Sequence, residues 1–266
     1  MGVSRAINKA EILSKGGEEI YTYGPLIHNP QVIAELEKKR IKVAKNLNEL
    51  KNSTLIIRTH GVTPKERLLI EKSVKLVCDF TCPRVAKVQD IINKYAKMGY
   101  KIIIIGDKTH PEVKALMGYA LNRGFVVNKE SDLKKLPKRS KICVVSQTTM
   151  NQNLFTGLSS KLSKLYKEVV VFNTICDTTS KRQNEVLELC KFVDAMIIIG
   201  GKNSSNTTRL AEVSRKAGVK AYHIETEREL DLKEIKKYNS IGVTAGASTP
   251  KWMIERVLDK LKSYET

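Results

Sequence analysis

Two of the five cysteines stand where a strand would run into a helix. In "LVCDFTCPRVAKV" (76–88), Cys82 is followed at once by Pro83, a residue suited to the first position of a helix. Cys176 in "NTICDTTSKRQNEV" has the same setting: a strand end, then Asp-Thr-Thr-Ser as capping candidates, then a helical pattern. A thiol at such a junction is partly exposed, and the helix dipole favours its thiolate, the form that binds metal. Cys82 and Cys176 are therefore candidate ligands, although nothing here resembles a C-x-x-C pair. Cys78 and Cys143 lie inside strands and Cys190 on the apolar side of a helix, so core packing accounts for these three.

The histidines repeat the pattern. His28 in "LIHNP", His60 in "RTHGV" and His110 in "KTHPEV" all fall where a strand gives way to a loop or helix, whereas His223 sits mid-strand in "KAYHIE" and reads as structural. They lack H-x-x-x-H spacing, so contact with an anion or substrate is favoured over a zinc site.

The elements that must position these residues follow from the alternation of apolar runs. "TLIIRT", "VKLVCDF", "KIIIIG", "FVVN", "KICVVS", "VVVF", "AMIIIG", "KAYHI" and "SIGVTA" predict strands, with amphipathic helices such as "PRVAKVQDIINKYAKMG" and "SKRQNEVLELCKFV" between them. Continuously apolar strands separated by helices mean parallel sheets covered on both faces, an α/β protein. In such sheets ligands bind beyond the carboxyl ends of strands, where helix N-termini point their free N–H groups. Here the strands lead into "HGVTP", "THPEV", "QTTM", "NSSNTTRL" and "AGASTP", which offer His, Thr, Ser, Asn and Glu with few fixed cations. Loops of one flavour predict a shared polar pocket. No P-loop or G-x-G-x-x-G occurs, and "GGKNSSNTTR" lacks dinucleotide-turn spacing.

The 266 residues carry 47 Lys and Arg against 28 Asp and Glu, a net charge of +19. That suits a polyanionic partner, from nucleic acid down to a phosphorylated metabolite. The lysines are spread over helical faces, however, and predict general surface chemistry with a mild steering role. Aromatic content of 6% without an RNP-like pattern argues against an RNA-binding accessory protein. A zinc-dependent, redox-inert hydrolase built on the His and Cys set is the other alternative. No run approaches the roughly 18 apolar residues of a membrane span and "MGVSRAINKAEILSKGGEEI" lacks the apolar region of a signal peptide, so a cytoplasmic protein is expected.

The motifs "HNPQVIAEL", "THGV", "DFTCPRVAKV", "THPEVKALMG", "SQTTM", "TICDTTSKRQ", "GGKNSSNTTRLAE" and "GVTAGASTP" occur in order over nearly the whole chain. Together they closely resemble the 4-hydroxy-3-methylbut-2-enyl diphosphate reductase (LytB) family. The resemblance implies three small α/β domains (1–82, 83–175 and 176–266) in a trefoil around a 4Fe-4S cluster, one iron of which has no protein ligand. It implies Cys82 and Cys176 as cluster ligands, and His28, His60, Ser204, Ser205, Asn206 and Ser248 around a diphosphate. It places His110 beside the substrate, with Glu112 as proton-delivering acid and Thr148 as its hydroxyl relay. The implied reaction is reductive dehydroxylation to isopentenyl and dimethylallyl diphosphate, the last step of non-mevalonate isoprenoid synthesis. Ferredoxin or flavodoxin would supply the electrons, with neither nucleic acid nor membrane involved.

The family's first ligand lies in a GFCxGVxRA motif, which "MGVSRAI" matches only from the residue after the cysteine. The expectation is that Met1 is internal to a longer protein, through a misassigned start or a truncation. An upstream DNA sequence without an in-frame Gly-Phe-Cys would refute it. Taken literally, the chain is expected to hold its cluster poorly and its first domain to lack a strand.

Overall fold

The computed structural model describes residues 2–16, 19–26, 29–247 and 249–263. Three sheets succeed one another along the chain, and every strand pairing is parallel. The first unit comprises α1 (Gly2–Ser14), β1 (Ile20–Tyr23), α2 (Pro30–Lys38), β2 (Ile41–Val43), β3 (Thr54–Ile57), α3 (Pro64–Ser73) and β4 (Leu76–Asp79). Its strand order is β2-β1-β3-β4. The second comprises α4 (Pro83–Lys97), β5 (Lys101–Ile105), α5 (Pro111–Gly118), β6 (Gly124–Val127), β7 (Ile142–Ser146), α6 (Gln152–Leu165) and β8 (Val169–Val171), ordered β6-β5-β7-β8. The third comprises α7 (Asp177–Leu189), β9 (Ala195–Ile199), α8 (Ser205–Lys216), β10 (Lys220–Ile224), α9 (Leu232–Ile235), β11 (Ile241–Ala245) and α10 (Lys251–Lys262), ordered β10-β9-β11. Three parallel sheets suit the expected trefoil, and each lies within one of the three expected segments.

The strands form where apolar runs can be buried on both faces. β3, β7 and β9 are buried along their whole length, as is β5 after its first residue. Each buried Ile or Val there contributes about 1.5–3 kcal/mol relative to exposure. β4 and β8 lie at sheet edges and stay partly exposed. The second sheet has a core on each face: Val88 and Ile92 of α4 with Leu116 of α5 on one, Phe155 and Leu162 of α6 on the other. The first and third units share a core, in which Ala6, Ala10 and Leu36 pack with Ile197, Ile199, Met253 and Val257.

Among the described residues the first sheet has four strands and the third has three, with β11 at an edge. "IYTY" and "IKV", which lack a continuous apolar run, form β1 and β2 of the first sheet.

Helix starts are well specified. Asn29 caps α2, Thr63 forms a capping box with Glu66 on α3, and Cys82 and His110 precede Pro83 and Pro111 at the N-termini of α4 and α5. Because the strands are parallel, these helix starts gather beyond the strands' carboxyl ends. No helix among the described residues is long and apolar enough to cross a membrane.

Candidate active site

A cavity of about 130 Å³ opens where the units meet, lined by His60, Cys82, Glu112, Thr148, Cys176 and Asn206 among others. Those residues come from the ends of β3, β4, β5, β7, β8 and β9. Of the expected site residues, His28 and Ser248 lie outside the described residues.

Cys82 and Cys176 are equivalent in geometry. Each is the N-cap of its helix, with φ, ψ of −60°, 131° and −67°, 129°, and neither thiol makes a capping hydrogen bond. The Cys82 N–H donates to Thr59 O at 3.0 Å, and the Cys176 N–H to Thr148 O at 2.8 Å. Each cysteine is thus pinned to the residue beyond a neighbouring strand, β3 or β7, while its thiol stays uncommitted beside the cavity. The other cysteines are placed differently. Cys143 is fully buried and its thiol is pushed up to about 12 by desolvation. Cys190 is buried but caps the C-terminus of α7 instead of lying within it. Cys78 is only half-buried, because β4 is an edge strand.

Glu112, the second residue of α5, is 2% exposed. Its Oε1 accepts the Thr148 backbone N–H at 2.6 Å and its Oε2 accepts the Thr148 hydroxyl at 2.7 Å. Desolvation raises its pKa to about 7 against the lowering effect of those two bonds. The carboxyl can therefore hold or release a proton near neutrality, with a hydroxyl beside it to pass the proton on. His110 caps the same helix: its Nδ1 accepts the Glu112 backbone N–H at 3.2 Å. In the neutral ring the proton then sits on Nε2. The His60 ring meets the His110 ring edge-on at 5.1 Å between centroids. His60 is carried on a turn closed by Gly61, whose φ of +71° suits glycine and whose Cα faces the Gln89 side chain.

At the third unit, Asn206 lines the cavity, is 8% exposed, and has no hydrogen-bond partner for either amide atom among the described residues. A buried amide left open in this way calls for a polar ligand. Ser204 and Ser205 do not line the cavity directly. The Ser204 hydroxyl caps α8 by accepting the Thr207 N–H at 3.5 Å, and the Ser205 hydroxyl contacts Gln147 and Thr149. His223 is structural as expected: its Nε2 lies 2.9 Å from Gly200 O, and burial lowers its pKa.

Sequence reasoning missed two cations. Arg84 and Arg182 line the cavity from α4 and α7, not from the strand-end loops. Arg84 pairs with Asp177, joining the starts of the two cysteine-capped helices. Burial depresses the Arg182 guanidinium, which donates to Ala245 O at 3.4 Å. Thr149, Thr178 and Thr179 also face the cavity. They lie in motifs that were noted, but no local signal shows which threonine points inward.

No set of three or more His, Cys, Asp or Glu side chains suited to a metal ion occurs among the described residues. Two uncommitted thiols at one cavity fit two corners of a thiolate-held cluster; no third cysteine among the described residues lines that cavity.

The LytB protein family matches residues 1–262. A relative from Alkaliphilus oremlandii, a 4-hydroxy-3-methylbut-2-enyl diphosphate reductase, is 45% identical over 267 residues, covering 98% of this chain and 95% of its own. Another of that name, from Caldanaerobacter subterraneus, is 43% identical, covering 99% of this chain and 93% of its own. The solved structure of the E-1-hydroxy-2-methyl-but-2-enyl-4-diphosphate reductase from Plasmodium falciparum superposes with a TM-score of 0.93 at 31% identity, covering 98% of this chain and 84% of its own. A second, of (E)-4-hydroxy-3-methyl-but-2-enyl diphosphate reductase, the terminal enzyme of the non-mevalonate pathway, gives 0.73 at 38% identity, covering 99% and 95%.

Proposed function

The chain belongs to the LytB family, and from that premise we propose that it reduces 4-hydroxy-3-methylbut-2-enyl diphosphate to isopentenyl and dimethylallyl diphosphate. The observation that carries this reading is the buried Glu112–Thr148 pair facing the same cavity as two uncommitted cysteine thiols.

In this reading Cys82 and Cys176 would hold two corners of a 4Fe-4S cluster. Such a cluster supplies single electrons and an open iron that acts as a Lewis acid. Asn206, Ser204, Ser205 and the free N–H groups at the start of α8 bind the diphosphate together with His60, and with His28 and Ser248 as the family resemblance implies. Glu112 stores a proton on its carboxyl, and the Thr148 hydroxyl passes it to the departing allylic oxygen. His110, with Nε2–H as donor, orients that oxygen. Two electrons and two protons replace C–O by C–H and release one water. Ferredoxin or flavodoxin is the expected electron source, in the cytoplasm.

Anaerobic reconstitution with iron and sulfide tests the reading. Broad visible absorption, faint because only two thiolates hold the cluster and lost in Cys82→Ser and Cys176→Ser, is the expected outcome. A chain that stays colourless overturns it.

A further inference from the structure

Gln147 follows β7 and is 1% exposed, yet its amide is shared among three chain segments. Its Oε1 accepts the Asp107 backbone N–H, from the loop between β5 and α5, at 3.0 Å. Its Nε2 donates to Thr149 Oγ1 at 2.9 Å and to Ser205 Oγ at 3.0 Å. The two hydroxyl oxygens lie 2.8 Å apart. Gly106 makes the reach possible: a Cβ there would stand 3.0 Å from the Gln147 Cβ and 2.8 Å from Val113 Cγ2.

The amide orientation has one solution. A backbone N–H can only donate, so the amide oxygen must face Asp107 and the NH₂ must face the hydroxyls. Both amide hydrogens are then spent on the Thr149 and Ser205 oxygens. One hydroxyl hydrogen joins the two hydroxyls to each other. The second finds no acceptor in the triangle, because the one amide oxygen is turned away. When Ser205 donates to Thr149, the free hydrogen is that of Thr149, the one of the two that lines the cavity.

We propose that Gln147 is a positioning residue, which holds the Thr149–Ser205 hydroxyl pair as a net hydrogen donor toward a diphosphate oxygen in the cavity. The amide also ties the start of α8 to the second unit, so donor and helix N-terminus are presented together. The role rests on the diphosphate reading above.

Titration calorimetry of the full chain with inorganic pyrophosphate tests it without any cluster. Thr149→Val is expected to weaken binding about tenfold in the wild-type background, as loss of one hydrogen bond to a charged group does. In a Gln147→Met background, where nothing aligns the hydroxyl, the same change is expected to cost less than about threefold. Equal losses in both backgrounds overturn the positioning role, since a merely structural Gln147 gives additive effects. Should Gln147→Met fail to fold, the near-isosteric Gln147→Glu serves. It keeps an oxygen for Asp107 but accepts both hydroxyl hydrogens, so pyrophosphate binding at the wild-type level in that variant also overturns the role. A wild-type chain that does not bind pyrophosphate overturns the diphosphate reading itself, and the positioning role with it.

Discussion

Burial and hydrogen bonding pull Glu112 in opposite directions, and burial prevails: the carboxyl moves from 4.5 to about 7. Between those values the folded chain keeps a proton that the unfolded chain releases. Stability therefore declines as pH rises through that window, by up to about 3 kcal/mol at about 1.4 kcal/mol per pKa unit. Glu112→Gln removes the ionisable group, so its urea stability should show no such decline between pH 5 and 7.5. Parallel wild-type and variant profiles would mean that the carboxyl is not raised. The same variant loses the proton donor, and reductase turnover is expected to fall by about 10²–10⁴-fold.

The helix starts carry the site, so their caps matter beyond local stability. Thr63 begins α3 three residues after His60; its hydroxyl accepts the Glu66 N–H at 3.1 Å, and Glu66 Oε2 accepts the Thr63 N–H at 2.8 Å. Thr63→Ala opens this box at a cost of about 1 kcal/mol. The expected readout is a lower urea midpoint with an unchanged m-value; a midpoint equal to wild type would show that water replaces the cap at no cost. Cys82 and Cys176 occupy equivalent cap positions without using their side chains as caps. Their thiols are free for another purpose because Pro83 has no N–H that needs an acceptor at α4 and Asp177 places a carboxylate in the first turn of α7.

Across the whole molecule, a charge of +19 sets up a field that draws in anions. An acidic one-electron carrier should be steered by it, so kcat/KM for reduced ferredoxin is expected to fall steeply as ionic strength rises from about 0.01 to 0.15 M, where the Debye length shrinks from about 30 to 8 Å. A flat salt response would leave the charge with no steering role. The core shared by the first and third units makes them one body: Ile199 of β9 and Met253 of α10 pack in the same cluster as Leu36 of α2. The second unit meets the third through smaller polar contacts, such as Gln147 to Ser205 and Arg84 to Asp177.

The strands from β3 to β11 are legible in the amino-acid order because each is a run rich in β-branched and apolar residues, and β3, β5, β7 and β9 are the ones buried almost throughout. β1 and β2 are not, since polar residues interrupt "IYTY" and "IKV", which become strands by pairing with β3 and with each other. Cys82 and Cys176 are legible as junction residues, because a proline or a row of capping residues marks a helix start locally. The pairing of Glu112 with Thr148, 36 residues apart, and of Gln147 with Ser205, 58 apart, has no local signature. Neither do the two arginines that reach the cavity from helices. Residue order sets which groups stand at strand ends, because periodicity and capping act over a few neighbours. Which of those groups meet, and which hydroxyl is left with a hydrogen to donate, depends on how three sheets pack, since distance across the cavity is fixed by the cores beneath it.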